Sequence, residues 1–181
     1  AQADLEGKRN INKNRLESEG LRDIVLFYAE VGSAQQAPDY FERLVGADAP
    51  NYLDKLAYFY GDKGNIEGSR YLFNYLIEKN PTAPKAFDYK YQVVRLFSNA
   101  KQSKEFREEL YSLVKDFGPS SAWFQTNIAR KDLTDNAVKL REATLRNFIL
   151  NQHQTAQNSR APFSQALALD GYRLYIKEID S

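Results

Sequence analysis

Residues 53–81 read LDKLAYFYGDKGNIEGSRYLFNYLIEKNP, and their spacing decides the fold class. Leu53, Leu56, Ala57 and Tyr60 recur every three or four positions, which lays them along one face of a helix. Gly61-Asp62-Lys63-Gly64-Asn65 then interrupts the pattern, with two glycines able to take positive φ. A second run carries Tyr71, Leu72, Tyr75 and Leu76. It stops at Lys79-Asn80-Pro81, a basic last turn followed by a residue that cannot continue a helix. The stretch predicts two helices joined by a turn, each with an apolar face to bury.

The same layout extends along the chain. Pro50, Pro84 and Pro119 fall 34 and 35 residues apart, a period that indicates stacked supersecondary units. Each is preceded or followed by side-chain oxygens (Asp48, Thr82, Ser120 and Ser121) suited to capping a helix start. Phe87, Tyr91, Val94 and Phe97, then Phe106, Leu110, Leu113 and Val114, predict a second helix pair. Pro119 to Ala129 reads as a helix with Trp123, Phe124 and Ile128. Thr134-Asp135-Asn136 opens a long one with Ala137, Leu140, Thr144, Phe148, Gln152 and Ala156 on one face, and a last helix starts near Pro162. Before Pro50, Leu21 to Val31 and Asp39 to Val45 form an earlier pair. Residues 1–20 are polar, a frayed helix or a tail. The expected fold is an all-α superhelix of stacked antiparallel helix pairs, with units near 21–48, 49–82, 83–118 and 119–181.

Composition narrows the chemistry. The 181 residues carry 25 basic and 24 acidic side chains, so no general field favours nucleic acid or an anionic membrane surface. With no Cys, disulfide frameworks, thiol nucleophiles and Cys-based metal sites drop out. The longest apolar run, Ile24 to Ala29, falls far short of the roughly 20 residues a membrane-spanning helix needs. The lack of Met implies a longer parent chain. If Ala1-Gln2-Ala3 follows a signal-peptidase cut, the location is periplasmic or otherwise extracytoplasmic.

Residues 53–81 resemble the tetratricopeptide repeat, whose signature is W-x2-L-G-x2-Y, then A-x3-F, then P. Here Leu53, Leu56, Ala57 and Tyr60, then Ser69 and Phe73, then Pro81, follow that spacing. Ala57 and Ser69 are small where the two helices must approach closely. Aligning Pro119 with the closing proline instead puts Arg95 and Arg107 at the small positions, where they would crowd the pair, so that unit departs from the pattern. Ala156, Ala168 and Tyr172 follow the small-small-aromatic spacing. Tyr172 to Ile176 is similar to the second helix of repeats in bacterial envelope scaffolds.

The resemblance implies a non-enzymatic scaffold that binds a protein or peptide segment on the concave surface lined by the first helix of each unit. Carried over position by position, it points to Asn51, Asp54 and Tyr58, to Tyr89 and Gln92, and to His153 and Gln157. Asp54 stands where a carboxylate-binding clamp would place a cation, which disfavours that type of receptor. No cofactor and no metal are implied. His153 is the only histidine and has no carboxylate at i+3 or i+4, so a metal site would need distant ligands. The Gly61, Gly64 and Gly68 series lacks the preceding strand and the Gly-Lys of a phosphate loop. Glu105, Glu108 and Glu109 are interleaved with Lys104 and Arg107, the pattern of an ion-paired helix surface. The twelve Tyr and eleven Phe are expected mainly to fill space between helices. Two alternatives stay open: a helical enzyme or small-ligand receptor using a buried carboxylate pair, and a structural spacer within a larger assembly.

Overall fold

A computed structural model describes residues 19–159 and 162–180. The expectation for residues 1–20 therefore lies almost wholly outside the described residues. Every regular element among the described residues is a helix, and the chain divides into two compact units, 1–76 and 77–181.

The first unit holds α1 (19–31), α2 (Ala37–Val45), a single 3-10 turn (Gly46–Asp48), α3 (Ala49–Asp62) and most of α4 (Ile66–Lys79). Leu53, Leu56, Ala57 and Tyr60 of α3 and Leu72, Phe73 and Leu76 of α4 are buried, as the 3.6-residue period requires. Ala57 and Ser69 are where α3 and α4 meet: both are fully buried, and Ser69 Oγ donates to the Ala57 carbonyl at 2.7 Å. The turn between these helices has Gly64 at φ 79°, with Asn65 N–H donating to the Tyr60 carbonyl and Gly64 N–H to the Gly61 carbonyl. These are the two bonds of a Schellman motif, closed by a left-handed glycine. Asn65 then caps α4 through its side-chain oxygen, which accepts from Gly68 N–H at 3.0 Å. Around α2, the rings of Tyr28, Tyr40, Phe41 and Tyr52 pack with centroids 4.7–5.3 Å apart. Gly32 makes this possible, because a β-carbon there would stand 2.3 Å from the Tyr28 ring.

The second unit holds α5 (Ala86–Asn99), α6 (Ser103–Asp116), α7 (Ala122–Asn127), α8 (Lys131–Ser159) and α9 (Pro162–Glu178). One core joins them, built from Phe87, Val94, Leu110, Leu113, Phe117, Trp123, Leu145, Phe148, Ile149 and Leu174. At Gly171 a β-carbon would meet Ile149 Cγ1 at 2.7 Å, so α8 and α9 approach closely there. Arg141 is buried in this core. Its Nε donates to the Val114 carbonyl at 3.0 Å and its Nη2 to the Glu178 carbonyl at 3.4 Å, so one cation serves the C-terminal turns of both α6 and α9.

The helix starts differ from the expected capping. Pro50 lies in the first turn of α3, but Asp48 makes no side-chain cap, and Lys85 rather than a hydroxyl precedes α5. Thr82 instead offers its backbone carbonyl to Asn127 Nδ2 at 2.9 Å, while the Ala83 carbonyl accepts from Trp123 Nε1 at 2.8 Å. The connection leading into α5 is held by α7, not by a cap. Ser121 does cap α7, accepting from Phe124 N–H at 3.2 Å. Thr134 does not open α8, which begins at Lys131. The Thr134 hydroxyl bonds back to the carbonyls of Arg130 and Lys131.

The pairs α3–α4 and α5–α6 repeat each other with a uniform offset of 37 residues, from Ala49 to Ala86 at one end and from Lys79 to Asp116 at the other. The turn repeats too: Gln102 N–H donates to the Phe97 carbonyl and Lys101 N–H to the Ser98 carbonyl, the same two bonds 37 residues on. This corrects the register expected from the prolines. Val94 and Phe106, not Arg95 and Arg107, are equivalent to Ala57 and Ser69. The two arginines fall one position off the helix contact, so neither crowds it.

Candidate functional site

The second unit carries an open cleft of about 1020 Å³ between the α5–α6 pair and α8–α9. Its floor is the apolar side of three helices. Val94 and Phe97 of α5 are fully buried, Phe106 of α6 is half-buried, and Phe148 of α8 packs against Phe106 with centroids 6.0 Å apart. One wall is polar: Thr144, Asn147, Asn151 and Gln152 run along α8, with Ser164 of α9 beside them. Thr144, Phe148 and Gln152 belong to the apolar face anticipated for this long helix, which here borders the cleft. Phe163, 70% exposed, forms a lip in the first turn of α9.

The opposite wall is cationic. Arg95 comes from α5, Lys101 from the turn, and Lys104 and Arg107 from α6. Among the described residues the lining contains no carboxylate and no imidazole. Lys104 shares its charge with Glu108, 4.0 Å away on the outer surface of α6. Over a low-dielectric aromatic floor, cations of one sign focus a field that water and salt screen only in part.

Lys101 has a backbone φ of 57°, the left-handed region that a glycine occupies at the equivalent Gly64. An L-residue there costs roughly 1–2 kcal/mol, and strain of this kind concentrates where a side chain is needed for something other than folding. On α6, behind Phe148, Tyr111 packs edge-on against that ring at 6.0 Å, and its hydroxyl is buried with no hydrogen-bond partner among the described residues. Burial pushes the Tyr111 phenol above its ordinary range, the Asp170 charge adds to this, and Arg107 opposes it.

None of the seven residues anticipated as partner-binding lines this cleft. Asn51, Asp54 and Tyr58 share one face of α3 in the first unit, where Asp54 is buried, Asn51 is exposed and Tyr58 lies edge-on to Phe73 at 5.0 Å. On α5, Tyr89 is buried and Gln92 half-buried. On α8, His153 and Gln157 are exposed and joined to each other by a 2.8 Å hydrogen bond, with His153 edge-on to Tyr172. With the 37-residue equivalence, Asp54 and Tyr58 correspond to Tyr91 and Arg95, and both of those line the cleft. Tyr89 and Gln92 result from a register one residue too long. The cationic residues were visible in the sequence, but only the turn geometry places them together. The α6 carboxylates stand apart from the cleft: Glu109 is ion-paired with Lys90 inside the α5–α6 pair, and Glu105 and Glu108 do not line it.

Among the described residues no helix is long and apolar enough to cross a membrane, and no three acidic or histidine side chains converge to hold a metal ion. No known protein family, curated protein or solved structure matches the chain.

Proposed function

We propose that this chain is a non-enzymatic binding module of tetratricopeptide-like helix pairs, and that it takes a protein segment into the cleft between α5–α6 and α8–α9. The observation that carries the reading is the lining: an aromatic floor, one amide wall and one cationic wall around about 1020 Å³ of open space. Sites for small molecules are more enclosed and use few polar groups, whereas an open trough with polar groups along its length suits an extended chain. The repeat of one helix-turn-helix design at a 37-residue offset supports the stacked-pair interpretation, since each such unit needs a neighbour to cover its apolar face.

Display of random peptides on the purified chain, with counter-selection on the Asn151→Trp variant, tests the reading. Asn151 is exposed and lines the cleft, so an indole there fills the space without entering the core. Peptides enriched on the parent chain and lost on the variant are the expected result. Failure to enrich any peptide, or equal retention by both proteins, overturns it.

A further inference from the structure

The two repeated helix pairs allow the cleft to be compared with its own unmodified counterpart. At the 37-residue offset, Tyr58 is replaced by Arg95, Gly64 by Lys101, and Glu67 by Lys104, while Arg70 is matched by Arg107. In the first pair Glu67 sits 3.7 Å from Arg70 and offsets its charge. In the second pair the residue at that place is itself a cation. Three positions on one side of the same scaffold have turned positive, one of them at the cost of a left-handed lysine. The acidic residues that α6 carries where α4 has none, Glu105, Glu108, Glu109 and Asp116, all lie outside the lining. Because the whole chain is nearly neutral, this asymmetry is local to the cleft.

The facing wall specifies what carries the negative charge. Asn147 and Asn151 are one helical step of four residues apart, about 6 Å along α8. An extended chain repeats every two residues at about 6.6 Å, so the two amides can each meet a peptide group on the same edge of such a chain. Side chains of one face would then lie on the aromatic floor, while those of the other face turn towards solvent, within reach of the long, exposed side chains of Arg95 and Lys101.

Resting on the reading that the cleft takes a protein segment, we infer that its ligand is an acidic, amphipathic peptide in extended form. In this arrangement internal Asp or Glu side chains meet Arg95, Lys101 and Arg107, and alternate apolar side chains lie on Phe106 and Phe148. The acidic groups are side chains within the segment, so no free C-terminus is required.

The test uses an octapeptide of alternating Glu and Leu, blocked at both ends and fluorescently labelled, beside the same peptide with Gln for Glu. Fluorescence anisotropy with the full chain should show the Glu peptide binding at least about tenfold more tightly, and weakening as salt rises from about 0.05 M to about 0.5 M. The Arg95→Gln/Arg107→Gln variant should lose that preference while keeping its melting temperature, because neither side chain is in the core. The Asn151→Trp variant should bind neither peptide. Equal affinity for the Glu and Gln peptides overturns the acidic specificity while leaving the binding module intact. Absence of binding by both, together with a peptide display that enriches nothing, removes the module itself. Decanoate or a single-stranded oligonucleotide displacing the Glu peptide, and binding more tightly with the same arginine dependence, would reassign the cleft to a different anion and overturn the inference.

Discussion

The hydroxyl of Ser69 donates to the carbonyl of Ala57 across the contact between α3 and α4, at 2.7 Å and out of reach of solvent. The small volume of both residues lets the helices meet, and the bond satisfies a hydroxyl that would otherwise be stranded. Ser69→Ala should cost about 1 kcal/mol, the net worth of a buried hydrogen bond. Ser69→Leu should cost more, roughly 1–3 kcal/mol, by forcing the helices apart. Urea unfolding of the two variants distinguishes them. A Leu variant as stable as the parent would mean the contact is not close-packed.

The buried ion pair of Lys90 with Glu109 offers a second test. Their equivalents in the first pair are Leu53 and Leu72, both fully buried, so the α5–α6 interior holds two charges where its counterpart holds two hydrocarbons. Removing one charge takes away what compensates the other: Lys90→Met should destabilise, by up to about 3–5 kcal/mol. The double change Lys90→Leu/Glu109→Leu copies the first pair, and should be neutral or stabilising by up to about 4 kcal/mol. Denaturant midpoints of the single and double variants check this directly.

Lys101 would set stability against the proposed recognition. Lys101→Gly relieves the left-handed strain and should raise stability by roughly 1 kcal/mol, whereas Gly64→Lys should lower it by a similar amount. The same Lys101→Gly change removes one cation from the cleft and should weaken capture of the Glu-Leu octapeptide. Thermal melts and anisotropy on one preparation give both readouts.

Alkaline pH probes the tyrosines. Burial raises the phenols of Tyr28, Tyr60 and Tyr111, and donation to the Glu142 carboxylate raises that of Tyr175. A raised folded value means that the native state holds its protons after the unfolded chain, titrating near pH 10, has begun to release them. The resulting stability is present below about pH 10 and is lost as pH rises through the higher folded values. Tyr111→Phe removes a buried hydroxyl that has no partner among the described residues. It should add roughly 1 kcal/mol at neutral pH and flatten the alkaline loss. Unfolding free energies measured from pH 7 to 11 provide the check.

The helical class, the Gly64 turn and the close contact at Ala57 and Ser69 were legible in residues 53–81 alone. Each follows from spacing within a few helical turns, or from residue types with few conformational options. The capping pattern was less legible. Asp48 and Thr82 are good capping residues by type, yet Thr82 serves through its carbonyl because Asn127 reaches it from 45 positions along the chain, while Trp123 holds the neighbouring Ala83 carbonyl.

What tertiary structure alone decided was the register of the second pair, and with it the cleft. Aligning Pro119 with the closing proline puts Arg95 and Arg107 at the small positions and makes that unit a departure from the pattern, whereas the backbone bonds of the two turns set a 37-residue equivalence that moves both arginines to the cleft wall. A helix shows its apolar face through local periodicity. Which residue faces a neighbouring helix depends on where the turn ends, and a lysine in the left-handed position of that turn carries no mark of its conformation in the sequence. The sequence thus determined the kinds of element and their buried faces; the meeting of four cations, three amides and an aromatic floor required the helices to be packed, because those groups come from separate segments that only long-range contacts bring together.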